Sequence, residues 1–208
     1  MLNQYGKFNF RGKPSKLFKT KPLHTDKNGN KYFGQWDPDT DLYSGQGIYV
    51  WAKHGSIYEG NWEHGKRNGM GRRLYNAGDL YEGLWKDGVA HGKGINILPN
   101  KTRYIGEYRN GYLNGKGMCI KPNKSKYIGD YKDSYRHGYG VMINRKTGAR
   151  YEGYWKNDKK HGQAVSHLGK RQVYIGQFYQ GKCHGKGVDI RKDGSVVDGL
   201  WRRGIFQG

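Results

Sequence analysis

The sequence predicts an all-β fold, an elongated and twisted single-layer antiparallel sheet of stacked β-hairpins. Three observations predict it. An aromatic-x-Gly-x-aromatic motif recurs at steps of 23 to 26 residues, a Gly-x-Gly motif falls between its copies, and turn-forming dipeptides punctuate both. A fixed period of this length marks a repeat architecture rather than a domain built around one core.

The first element of each unit is a strand. Its copies run through Tyr32, Gly34 and Trp36; Tyr58, Gly60 and Trp62; Tyr81, Gly83 and Trp85; and Tyr104, Gly106 and Tyr108. They continue through Tyr127, Gly129 and Tyr131; Tyr151, Gly153 and Trp155; Tyr174, Gly176 and Phe178; and Val197, Gly199 and Trp201. Residues two apart share one face of a strand, so each copy puts two rings and a glycine on the same side and its intervening residues on the other. The second element carries Gly-x-Gly, as at Gly45 and Gly47 or Gly69 and Gly71, with one broken copy at Gly162-Gln-Ala164.

Turns separate the two elements. Asn28-Gly29, His54-Gly55, Ala77-Gly78, Pro99-Asn100, Pro122-Asn123, Thr147-Gly148 and Asp193-Gly194 precede aromatic strands, and His64-Gly65, Asp87-Gly88, Asn110-Gly111 and Gln180-Gly181 follow them. Each unit therefore reads as one hairpin joined directly to the next, eight units and sixteen strands in all. At the usual strand spacing sixteen strands would extend on the order of 75 Å. A lone hairpin cannot bury its own rings, so the units must stack, with rings lying on the bare backbone of glycines in the neighbouring strand. This pairing accounts for 35 Gly, 18 Tyr and 6 Trp in a chain of 208 residues that is otherwise polar enough to read as disordered.

Units such as Tyr58 through Gly71 and Tyr81 through Gly94 resemble MORN repeats, whose signature is Tyr-x-Gly-x-Trp followed by Gly-x-Gly. The resemblance covers residues 26–208 and leaves residues 1–25 as a basic N-terminal arm. It implies a twisted single-layer sheet and a non-catalytic scaffolding role, since proteins of this family serve in ciliary axonemes, cytoskeletal collars and junctions. A MORN-only chain of this size is most similar to the small MORN proteins of cilia and sperm flagella. That places the expected site of action in the cytoplasm, on the cytoskeleton or in the axoneme of a cilium or flagellum. Three copies depart from the pattern: Val197 stands for Tyr, Ala164 for Gly, and the first unit carries the extra Asp37 to Asp41. An open edge strand after Trp201 is expected to be covered end-on by a partner or by self-association.

Catalytic chemistry finds no footing in the sequence. His91, His137, His161 and His184 recur one unit apart, about 10 Å at ordinary strand spacing, too far to share one metal ion. Cys119 and Cys183 lie about three hairpins apart and are expected to be free thiols. No Gly-x-Gly copy continues into a nucleotide-binding loop, and Asn100-Lys-Thr102 and Asn123-Lys-Ser125 read as turns rather than glycosylation sites. No cofactor is expected. No apolar run is long enough to cross a membrane or to act as a secretory signal, so the expected compartment is reducing.

What remains is charge. With 38 Lys plus Arg against 17 Asp plus Glu, the net charge is +21. The arm contributes Lys7, Arg11, Lys13, Lys16, Lys19 and Lys21 without an acid. The expected partners are acidic protein surfaces, such as tubulin or other axonemal proteins, reached by long-range attraction. Anionic lipid is the second class, which makes a phosphoinositide-directed membrane tether the alternative function, beside that of a non-catalytic subunit of a larger enzyme complex. Nucleic acid is disfavoured because the rings recur where folding needs them. On the face opposite the rings, Leu84, Ile105, Ile128, Tyr154 and Ile175 are the candidates for an apolar partner-binding strip.

Overall fold

A computed structural model of the chain describes residues 18–169 and 172–208. Of the arm, Lys7, Arg11, Lys13 and Lys16 lie outside the described residues. The described chain contains no helix and forms a 17-stranded antiparallel sheet of consecutive hairpins. It divides into two compact units, the first running to Lys101 and including Glu107–Gly111, the second comprising Thr102–Gly106 and Tyr112–Gly208.

The first unit holds β1 (Lys19–Thr25), β2 (Lys31–Trp36), β3 (Tyr43–Val50), β4 (Ile57–Glu63), β5 (Lys66–Leu74), β6 (Leu80–Lys86) and β7 (Val89–Ile97). β8 (Arg103–Arg109) contributes to both units. The second unit continues with β9 (Tyr112–Ile120), β10 (Lys126–Lys132), β11 (Tyr135–Ile143), β12 (Arg150–Lys156) and β13 (Lys159–His167). It ends with β14 (Val173–Tyr179), β15 (Lys182–Ile190), β16 (Val196–Arg202) and the two-residue β17 (Ile205–Phe206). The sequence predicts sixteen strands and the structure has one more. The addition is β1, the last seven residues of the expected arm, which pairs antiparallel with β2 and breaks register between Lys21 and His24. Pro22 sits at that break, as proline does on edge strands where a ladder donor is dispensable. After Trp201 the chain turns back as β17, which pairs with Trp201 and Arg202 of β16, and the Phe206 ring lies 5.3 Å from that of Trp201.

The core is the ring face. Tyr58 is fully buried and Trp62 is 7% exposed, and the equivalent residues are buried alike except Tyr104 and the last copy, Val197 and Trp201, which are half-buried. Tyr58 meets Trp62 of its own motif at 5.1 Å and Trp85 of the following motif at 5.2 Å, both edge to face, so each ring welds one hairpin to the next. The glycines divide two tasks. The second glycine of each Gly-x-Gly lies under a tyrosine: a Cβ on Gly71 would stand 2.5 Å from Tyr58 Cζ. The first is left-handed, at φ +81 for Gly69 and +71 for Gly138, opposite a register shift that falls between Gly60 and Trp62 or between Gly129 and Tyr131. Such a bulge needs a residue without a Cβ penalty. The tyrosine hydroxyl then donates to the carbonyl of the residue facing the bulge, Tyr58 to Asn61 O at 2.9 Å and Tyr127 to Asp130 O at 3.0 Å. The motif is thus a bulge and a ring seat side by side.

Candidate interaction site

Two faces could meet a partner. On the face opposite the rings, the residue between Tyr and Gly pairs with the residue after Gly-x-Gly. In the second unit this row reads Met118, Ile128, Val141, Glu152, Val165, Ile175 and Val188. Ile128 and Ile175 are 46% and 45% exposed. The strip expected from the first-strand residues alone is therefore half filled by second-strand residues, and Ile128 has Met118 and Val141 as its neighbours. Glu152 divides the row, held by an ion pair to Arg150 and accepting from the Tyr139 hydroxyl at 3.0 Å. Ile105, on β8, is half-buried, and Tyr154 is exposed in the next row, opposite Tyr139. Leu84 belongs to the first unit, opposite Met70.

In the first unit the same row reads Phe33, Ile48, Glu59, Arg72, Glu82 and Ile95. Arg72 is 3% exposed and its guanidinium reaches Glu59 Oε2 at 2.9 Å. Lys19 is exposed on β1, while the Lys21 ammonium lies 4.3 Å from the Trp36 ring centroid and pairs with Asp41. Cys119 and Cys183 are free thiols, both pushed up in pKa chiefly by burial.

The ring face holds cations that the motif reading passes over. Arg67 stands opposite Trp62, Arg136 opposite Tyr131 and Lys160 opposite Trp155, so the three occupy the same place in their hairpins. Each lies over the rings of adjoining hairpins. Arg67 is 4.5 Å from the Trp85 centroid, Arg136 is 4.3 Å from that of Trp155, and Lys160 is 4.6 Å from that of Tyr151. Burial lowers the pKa of Lys160, and it lowers that of Arg67 to about 10, with nearby Arg73 adding to the effect. Arg73 faces Tyr58 and Tyr81 across the ladders and is also lowered by burial. The signal was present in the sequence, since Arg67, Gly71 and Arg73 are separated by even numbers of residues, the spacing of one strand face.

Among the described residues no cluster of His, Cys, Asp and Glu could hold a metal ion. The sharpest feature of each unit is instead its half-buried cations set among aromatic rings, Arg67 and Arg73 in the first and Arg136 and Lys160 in the second.

The MORN repeat family description matches seven segments, residues 41–56, 58–80, 81–103, 104–126, 127–145, 151–170 and 174–196. The Tyr32 copy precedes the first of these and the Val197 copy follows the last. MORN repeat-containing protein 3 of Xenopus laevis is 46% identical over 44 residues, which is 21% of this chain and 18% of the length of that relative. Among solved structures, the TCP domain of Drosophila melanogaster SAS-4, in complex with a proline-rich motif of Ana2, superposes with a TM-score of 0.40. Its identity is 12%, over 94% of this chain and 99% of that one. A variant of the TCP10 domain of Danio rerio CPAP gives 0.38 at 11% identity, over 87% and 100%. Neither likeness bears on function.

Proposed function

Since the chain belongs to the MORN repeat family, whose repeats are protein- and membrane-interaction modules, we propose that it is a non-catalytic scaffold that docks acidic protein surfaces in a ciliary, flagellar or other microtubule-based assembly. One observation carries the reading: a net charge of +21 on a chain whose repeat-motif rings are for the most part buried in its own packing. Charge of that size adds nothing to a sheet held by rings and costs self-repulsion, so its use lies outside the fold, in attraction of acidic partners. Such attraction raises association rates and is screened by salt.

The test is cosedimentation of the full chain with microtubules and, separately, with phosphoinositide liposomes across a salt series. It is repeated on a chain lacking residues 1–17, which leaves β1 intact. Sedimentation with microtubules that weakens as salt rises is expected. Sedimentation with liposomes alone would overturn the proposal in favour of a membrane tether.

A further inference from the structure

Arg136 and Arg67 sit in the same place in their hairpins but differ in what completes them. The Arg136 Nε donates to Asp158 Oδ1 at 2.9 Å and its Nη2 to Asp158 O at 2.9 Å. In the first unit the residue at that turn position is Gly88: its amide donates to Arg67 O at 3.0 Å, as the Asp158 amide donates to Arg136 O at 3.0 Å. Arg67 Nη2 finds the Gly88 carbonyl but no carboxylate. The second difference compounds the first. Met142 accepts a hydrogen bond from Arg136 Nη1 at 3.5 Å, whereas Arg73 holds the position equivalent to Met142, so Arg67 faces a second cation.

The Arg67 and Arg73 guanidiniums lie 5.6 and 4.4 Å from the centroid of one ring, Trp51. Both border an open cavity of about 480 Å³ with Tyr75, Trp85 and Asn96. Arg67 Nη1 and Arg73 Nε are buried without a hydrogen-bond partner in the described protein, as is Asn96 Oδ1. Asp79 also borders the cavity, yet it forms no ion pair with either arginine among the described residues. Buried N–H groups of two neighbouring cations are costly to leave unmatched, and a carboxylate accepts them in the fork geometry that guanidinium favours.

We propose that Arg67 and Arg73 form a receptor for a carboxylate side chain of an acidic protein segment, which completes in trans the ion pair that Asp158 gives Arg136 within the chain. The anionic character of the ligand follows from the arginines alone; that the carboxylate belongs to a protein rests on the scaffold reading above. A carboxylate is favoured over a phosphate because a carboxylate already fills the equivalent place in the second unit.

The test titrates a fluorescent, N-acetylated Glu-rich peptide with the full chain and follows anisotropy, with inorganic phosphate and phosphoinositide vesicles as separate competitors. Arg67→Gln/Arg73→Gln is expected to weaken peptide binding at least ~10-fold, the scale of one charge-assisted contact. Lys93→Gln/Lys186→Gln removes the same charge from the opposite face and is expected to change binding less than about twofold, as for distant screened charges. Gly88→Asp supplies the carboxylate in cis. It fits the backbone, since Asp158 holds the same turn position at φ +65 and a Cβ on Gly88 would lie 3.8 Å from Arg67 Nη2. It is expected to cut peptide binding as strongly as the arginine double variant, while the new ion pair to Arg67 offsets the left-handed cost of a side chain at φ +84 and keeps the melting temperature within a few degrees.

Equal losses in the two double variants, undiminished binding by Gly88→Asp, or binding of phosphate or vesicles without the peptide would overturn the site. The scaffold is tested apart from these outcomes, by microtubule sedimentation of the unaltered chain. Conversely, peptide binding with the expected variant pattern but no sedimentation would sink the microtubule reading and keep the receptor.

Discussion

Gly71 has no room for a methyl group: a Cβ there would stand 2.2 Å from Tyr58 Oη. The chain itself records how such a clash is relieved. Ala164 occupies the equivalent position, opposite Gly153, and there Tyr151 meets Trp155 at 74° where Tyr58 meets Trp62 at 86°. The ring tilts rather than leaving. Gly71→Ala should therefore cost about 1–3 kcal/mol, the usual range for overpacking, as measured by urea denaturation. The opposite substitution is favourable at Lys124, which holds φ +62 while its amide donates to Lys121 O at 2.9 Å. Gly78 fills the matching turn at φ +89, donating to Tyr75 O at 2.9 Å. A left-handed side chain costs ~1–2 kcal/mol, and the extra freedom of glycine in the unfolded chain returns ~0.5–1, so Lys124→Gly should stabilise by a few tenths to about 1 kcal/mol.

At the scale of the hairpin, the row opposite the rings carries apolar residues after most Gly-x-Gly motifs, and Arg72 is the exception. Across the two ladders it stands opposite Glu59, with which it pairs, and Glu82, whereas the matching Val141 of the second unit stands opposite Ile128 and Glu152. Removing one member of a buried charged set strands the others, whereas replacing the whole set by apolar residues of similar volume is close to neutral. Arg72→Val should thus lose about 3 kcal/mol, while Glu59→Ile/Arg72→Val/Glu82→Ile should recover most of it, a contrast that urea midpoints will read directly. The hairpin was legible in sequence because its period of two and its turn residues repeat in every copy. β1 was not, since Lys19 to Thr25 contains neither motif nor turn and becomes a strand only because β2 offers an edge to pair with. The division of labour within Gly-x-Gly was half legible: the ring seat follows from alternation, but the bulge that makes Gly69 left-handed appears only once β4 and β5 are in register. For the candidate site, alternation places Arg67 and Arg73 among the rings, yet no local pattern announces that the turn residue one hairpin away is Gly88 in one unit and Asp158 in the other.

Over the whole molecule, packing by tyrosine ties stability to pH in the alkaline range. Burial pushes the Tyr32, Tyr58, Tyr81, Tyr127, Tyr131 and Tyr151 phenols well above their ordinary 10.0, and it pushes Tyr174 up to about 12. A phenol with a raised folded value keeps its proton in the folded chain at a pH where the unfolded chain has lost it. Its contribution is complete below the unfolded value and is withdrawn as pH climbs toward the folded one. Arg67, Arg73 and Lys160 act in the opposite sense, because a base lowered by burial is relieved when it deprotonates. They are outnumbered by the phenols. Stability should accordingly change little up to about pH 9 and fall steeply above 10, each buried phenol adding to the slope. Urea midpoints at stepped pH, followed together with tyrosinate absorbance, will test this: the buried phenols should ionise in the same transition that unfolds the sheet. Ionisation of those phenols well before unfolding would show that the rings do not hold the hairpins together.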